Sequence, residues 1–129
     1  MERWLNIITF LLLTLFIHSC SYKVITDMYS GCSYNKISID LDKLDNNGYL
    51  LKTNQPIDYE FCIPDNETTW NEVLTINPKL KKTASKGRAG CVKGTVLVFG
   101  NTDNKAYKSM LCKIANLDYV KEVRQTFWE

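Results

Sequence analysis

Apolar residues recur along this chain in short periodic segments, and two periods alternate. Ile37, Ile39 and Leu41 alternate with Ser38 and Asp40, the two-residue period of a half-buried strand. Asp45-Asn46-Asn47-Gly48 favours a turn, and Tyr49-Leu50-Leu51 returns from it, so residues 36–52 predict a β-hairpin. Residues 57–63 predict a second strand closed by Pro64. Asp65 or Asn66 then caps a helix, with Trp70, Val73 and Leu74 at helical spacing and Asn77-Pro78 as its stop. Residues 79–86 predict a basic loop and 87–92 a short strand. The continuous apolar run Thr95-Val96-Leu97-Val98-Phe99 predicts a central strand. Gly100-Asn101-Thr102 leads into a helix reaching about Asn116, whose stripe is Tyr107, Met110, Leu111, Ile114 and Leu117. Residues 119–128 predict the last strand, with Tyr119, Val123 and Phe127 on one face.

From residue 57 the order is β-α-β-β-α-β, the ferredoxin-like split motif, preceded by the hairpin. The expected fold is therefore α+β, a small two-layer sandwich. Either Val96 and Val98 or Leu97 must face the helices, and Leu111 and Ile114 are the helix residues placed to meet them. At 129 residues, 45% hydrophobic and 23% charged, the chain has room for one globular domain.

The first twenty residues follow a different pattern. Arg3 supplies a short positive region whose charge Glu2 cancels, and residues 7–17 are apolar apart from Thr9 and Thr14. That run is too short to span a bilayer comfortably. It ends in His18-Ser19-Cys20, with Ile17 three places and Ser19 one place before the cysteine. This resembles the lipobox of bacterial lipoprotein precursors, although His18 stands where that family usually holds a small or aliphatic residue. The resemblance implies cleavage before Cys20 and lipidation of its thiol. It also implies export and anchoring to the cell envelope, at the outer membrane if the host has two, since Ser21 follows the cysteine. An ordinary secretory signal with a chance cysteine is the competing reading. The expected division is a signal peptide over 1–19, a lipidated tether over 20–35 and one domain over 36–129.

Without Cys20 four cysteines remain: Cys32, Cys62, Cys91 and Cys112. An even number in an exported domain points to two disulfides, with three pairings open. Cys62 and Cys91 both lie in strand-like text, and Cys112 lies roughly 140° from the centre of its helix stripe at ~100° per residue. The preferred pairs are Cys62 with Cys91 and Cys32 with Cys112. The first pair conflicts with strict ferredoxin-like topology if Cys91 sits on the second strand. Two strand spacings are about 9.6 Å, whereas bridged Cα atoms lie within about 7 Å.

Charge and chemistry narrow the function classes. From Cys20 to Pro78 four lysines face nine carboxylates, and from Lys79 onward eleven cationic residues face four carboxylates. The two halves are expected to attract each other within one fold. The only histidine, His18, would leave with the signal, which removes Ser-His-Asp and Cys-His machinery and the commonest metal ligand. The cysteine spacing lacks the pairing of a zinc site. Placing Gly48 sixth in a calcium loop puts Lys43 and Asn54 at positions that need carboxylates. No catalytic residue, metal or cofactor is expected.

The basic stretch 79–88 contributes Lys81, Lys82, Lys86 and Arg88 as candidate anion ligands, joined by Asn101 and Thr102 at the second helix start. The stretch lacks a Gly-Lys-Ser/Thr ending and an interleaved aromatic, which argues against nucleotide or nucleic-acid partners. The expected partners are the membrane, through the lipid, and an envelope protein or anionic polymer. The expected function is a non-catalytic envelope interaction domain. The alternative is a small anionic-ligand or polymer-binding module using the helix N-termini and the basic loop.

Overall fold

The structure, a computed structural model, describes residues 31–128. The expected signal peptide and Cys20 lie outside the described residues. The folded unit starts at Cys32, four residues before the expected domain boundary at 36. Ser33 N–H donates to Asn116 Oδ1 and the Lys36 ammonium to the Leu117 carbonyl, so residues 32–35 are fastened to the domain rather than left in a tether.

Five strands form one sheet. They are β1 (Ile37–Ser38), β2 (Asp58–Pro64), β3 (Lys81–Thr83), β4 (Thr95–Asn101) and β5 (Val123–Gln125). Their order across the sheet is β1-β5-β2-β4-β3. Among the described residues only β1 and β5 run parallel; β5 with β2, β2 with β4 and β4 with β3 are antiparallel. The helices are α1 (Glu67–Ile76) and α2 (Tyr107–Ala115). The molecule is thus α+β, as the alternating periods imply. Asn66 caps α1 by accepting from Thr69 N–H at 2.9 Å.

Both helices cover one face of the sheet. Residues opposite in an antiparallel pair share a face, and successive residues alternate. Phe61 opposes Val98 and Ile63 opposes Val96, and these side chains meet Val73 of α1 and Leu111 and Ile114 of α2 in the core. Tyr59 and Val123 join them. Each such side chain, fully buried, contributes about 1.5–3 kcal/mol. Leu97 is buried too, on the opposite face, outside that core.

Four expectations need correction. Residues 36–52 do not form a hairpin. Ile37 and Ser38 pair instead with Val123 and Arg124, while a 3-10 turn (Leu41–Lys43) and a single Leu44–Leu50 bridge lead through the Asp45 turn. Ile37 gains a buried neighbour in Val123 that a local hairpin would not supply. The second strand of the β-α-β-β-α-β order is Lys81–Thr83, not 87–92. Gly87 has φ +57°, a left-handed conformation that breaks any strand there. The last strand is only Val123–Gln125, so Phe127 lies beyond it and is exposed. Finally, α2 begins at Tyr107 rather than at residues 100–102.

The two disulfides join Cys62 to Cys91 and Cys32 to Cys112, with Cα separations of 5.5 and 5.2 Å. Cys91 lies off the strands, in the loop between β3 and β4. That placement removes the conflict between the bridge and the sheet order.

Candidate functional site

Among the described residues, no helix covers the second face of the sheet. Asp58, Glu60 and Cys62 of β2 share this face with Leu97, Phe99 and Asn101 of β4 and with Arg124 of β5. Polar residues at alternate positions of β2 imply a solvated face, yet Glu60 is almost fully buried. The cause is the loop over residues 84–94, which folds back across the sheet and is bolted to β2 by Cys91. A Cβ on Gly87 would meet the Leu97 side chain at 2.5 Å, which shows how closely the loop approaches.

Glu60 fastens this loop. Its Oε1 accepts Ala89 N–H at 2.6 Å and its Oε2 accepts the Thr126 hydroxyl at 3.1 Å. The Arg124 guanidinium donates to the Arg88 carbonyl at 2.8 Å. Loop, tail and sheet are therefore joined by a carboxylate, a guanidinium and a disulfide, where the other face uses apolar packing.

A cleft of about 370 Å³ lies at the Asp58–Asn101 end of β2 and β4, with Asp58, Phe99 and Asn101 of the open face in its lining. Gly100, Lys79, Lys81, Asp103 and Trp128 are also among the residues that line it. Trp128 is 70% exposed but oriented. Its indole N–H donates to Asp58 Oδ2, and its ring meets Phe99 edge-on at 6.4 Å. Asp58 Oδ1 accepts from the Asn101 amide, and Asp103 accepts the Tyr49 hydroxyl. Acceptance by Asp103, foremost, raises the Tyr49 pKa above the ordinary phenol value. Among the described residues, neither the Lys79 nor the Lys81 ammonium has an ion-pair partner.

The six candidate anion ligands do not come together as one set, although Lys81 and Asn101 both line the cleft. Lys81 opposes Phe99 and so points to the open face, whereas Lys82 opposes Val98 and points to the helix side. There the Lys82 ammonium lies 4.9 Å from the Trp70 ring centre and 4.0 Å from Glu67. Lys86 and Arg88 belong to the folded-back loop, and the Arg88 guanidinium stands 5.8 Å from the Phe127 ring. Asn101 is occupied by Asp58 and by Asp103 N–H. Thr102 is fully buried; its hydroxyl donates to the Gly48 carbonyl at 2.6 Å and accepts Ile57 N–H at 3.0 Å. Neither residue stands at a helix start, because a turn through Asn104 separates them from α2.

Sequence reasoning missed Glu60 and ranked the exposed role of Trp128 second. Glu60 reads as one of a solvated carboxylate pair with Asp58, and only the covering loop distinguishes it. Phe127-Trp128-Glu129 reads as a core edge strand, with an exposed binding patch as the less favoured alternative, and both rings are exposed. Among the described residues no helix is long and apolar enough to cross a membrane, and no group of three or more potential metal ligands occurs. No protein-family model matches this chain, and neither a curated protein nor a solved structure matches it.

Proposed function

We propose that this chain is an exported lipoprotein precursor. Processed before Cys20, it leaves a lipid-anchored, non-catalytic domain that binds an envelope component on the open face of its sheet. The observation that carries this reading is the pair of disulfides in a folded unit that begins at Cys32. Structural disulfides form in oxidising, exported compartments, and a domain of this size gains stability from them. The apolar run ending at Ser19-Cys20 supplies the route, and two or more acyl chains would hold the domain stably at a membrane. The tether between lipid and fold is then the segment before Cys32.

The order β5-β2-β4-β3, with α1 and α2 on one face, supports a ferredoxin-like arrangement widened at one edge by β1. Such a sheet leaves its second face for partners, and here that face carries the cleft beside Trp128. Its carboxylates hold the Trp128 indole, the Asn101 amide and the Tyr49 hydroxyl, which is the work of positioning rather than acid–base exchange.

Metabolic labelling with a palmitate analogue tests the anchor. The wild type should take the label, and Cys20→Ala should lose it and accumulate unprocessed. Equal labelling of both would contradict the reading.

A further inference from the structure

We infer that the cleft beside Trp128 binds a neutral hexopyranose ring of a glycan chain, stacked on the exposed indole face. The inference rests on the binding-domain reading above and gives it a ligand class. Three observations carry it. The first is an aromatic ring that is held but not buried. Trp128 is 70% exposed, yet its N–H is fixed on Asp58 and its ring lies nearly perpendicular to that of Phe99. A large ring presented in one orientation releases water when a flat apolar surface covers it, and little conformational freedom remains to be lost.

The second observation is the balance of charge. Among the described residues that line the cleft, Lys79 and Lys81 are matched by Asp58 and Asp103, so their formal charges cancel. A phosphate or polyanion would meet two carboxylates, and a polycation two ammonium groups. A neutral ligand meets neither penalty. The third is the mixture of hydrogen-bonding groups. The lysine ammonium groups donate, while the carboxylates retain lone pairs beyond the bonds they already accept. Sugar hydroxyls both donate and accept, and a hexopyranose presents axial C–H groups as an apolar face inside that hydroxyl rim. Aromatic platform, donors and acceptors are the complement of such a ring. The volume of about 370 Å³ lies near the lower end of ligand clefts, suited to a short stretch of sugar rather than a protein segment.

Isothermal titration of the full-length protein, held in a detergent without a sugar headgroup, tests this with chitohexaose, cellohexaose and maltohexaose as probes. At least one hexasaccharide should bind saturably. Trp128→Ala should weaken it at least about tenfold, as removal of an aromatic anchor does, and Trp128→Phe should restore part of the loss. Lys79→Ala should weaken it as well, through a lost donor, without a change in melting temperature. Sodium phosphate at millimolar concentration should not compete. The inference is overturned if none of the three binds, if Trp128→Ala binds like the wild type, or if phosphate displaces the sugar. Palmitate labelling reads the anchor independently, so failure of sugar binding with an intact lipid label rejects only the ligand, not the exported binding domain.

Discussion

The two faces of one sheet are held by different physics, although the same strands build both. Toward the helices, β2 and β4 present Tyr59, Phe61, Ile63, Val96 and Val98, all buried against α1 and α2. One residue along, toward the open side, they present Asp58, Glu60, Cys62, Leu97 and Phe99. The helix side gains its free energy from contiguous apolar burial, which is non-directional and tolerates no void. The open side is fastened at a few directed points: a disulfide, a buried carboxylate and a guanidinium on a carbonyl. Packing secures the fold, and the point contacts leave surface free for a ligand.

The comparison is broken most strongly from the helix side. Leu111 is fully buried between sheet and α2, so Leu111→Ala should lower stability by about 3–5 kcal/mol through lost burial and the cavity left behind. Lys108→Ala, on the exposed flank of the same helix, should cost less than about 0.5 kcal/mol. Urea melts of the two variants check the helix register, and a larger loss in Lys108→Ala would reject it.

On the open side Glu60 tests the directed hydrogen bonds. Glu60→Ala strands the Ala89 N–H and the Thr126 hydroxyl, which should cost about 1–3 kcal/mol. It should also raise hydrogen exchange across residues 84–94 before exchange rises in α2. Uniform exchange through both regions would mean that the two faces unfold together.

A smaller effect sits at the turn after Leu44. The Asp45 carboxylate accepts N–H groups from Tyr49 and Asn47, and the Tyr49 bond above all holds its pKa below the ordinary 3.8. A depressed folded-state pKa gives stability that is present above the unfolded value and lost as pH falls through the folded one. Stability should therefore decline in acid below about pH 4, and Asp45→Asn should flatten that decline. Urea midpoints measured along an acid series decide it. Gly48 closes this turn at φ +88°, and a Cβ there would fall 1.8 Å from the Thr102 carbonyl oxygen.

Periodicity made the helix side legible in the sequence. The run Thr95–Phe99 gave a central strand, and the stripe through Tyr107, Leu111 and Ile114 gave α2, because burial on one face imposes a period that residues reveal. Cysteine parity gave two disulfides for the same reason of constraint. β3 escaped because Lys81-Lys82-Thr83 carries no apolar signal; it is a strand only through backbone pairing with the edge of β4, and edge strands favour lysine. Thr102 passed for a helix-start residue because its local text suits a cap, whereas its partners, Gly48 and Ile57, are distant in sequence. Glu60 was illegible on the same ground, and an exposed Trp128 was legible only as the less favoured of two readings. Whether a residue of an open sheet face is covered depends on where a loop returns, and a loop tied by one disulfide leaves no periodic trace.

The division between a packed face and a binding face is tested most directly by urea unfolding of Trp128→Ala beside the wild type. Trp128 is large and aromatic but spends its contacts on orientation at the cleft, so its removal should change stability by less than about 0.5 kcal/mol. A loss comparable to that of Leu111→Ala would show that the ring belongs to the folding core and would contradict the division.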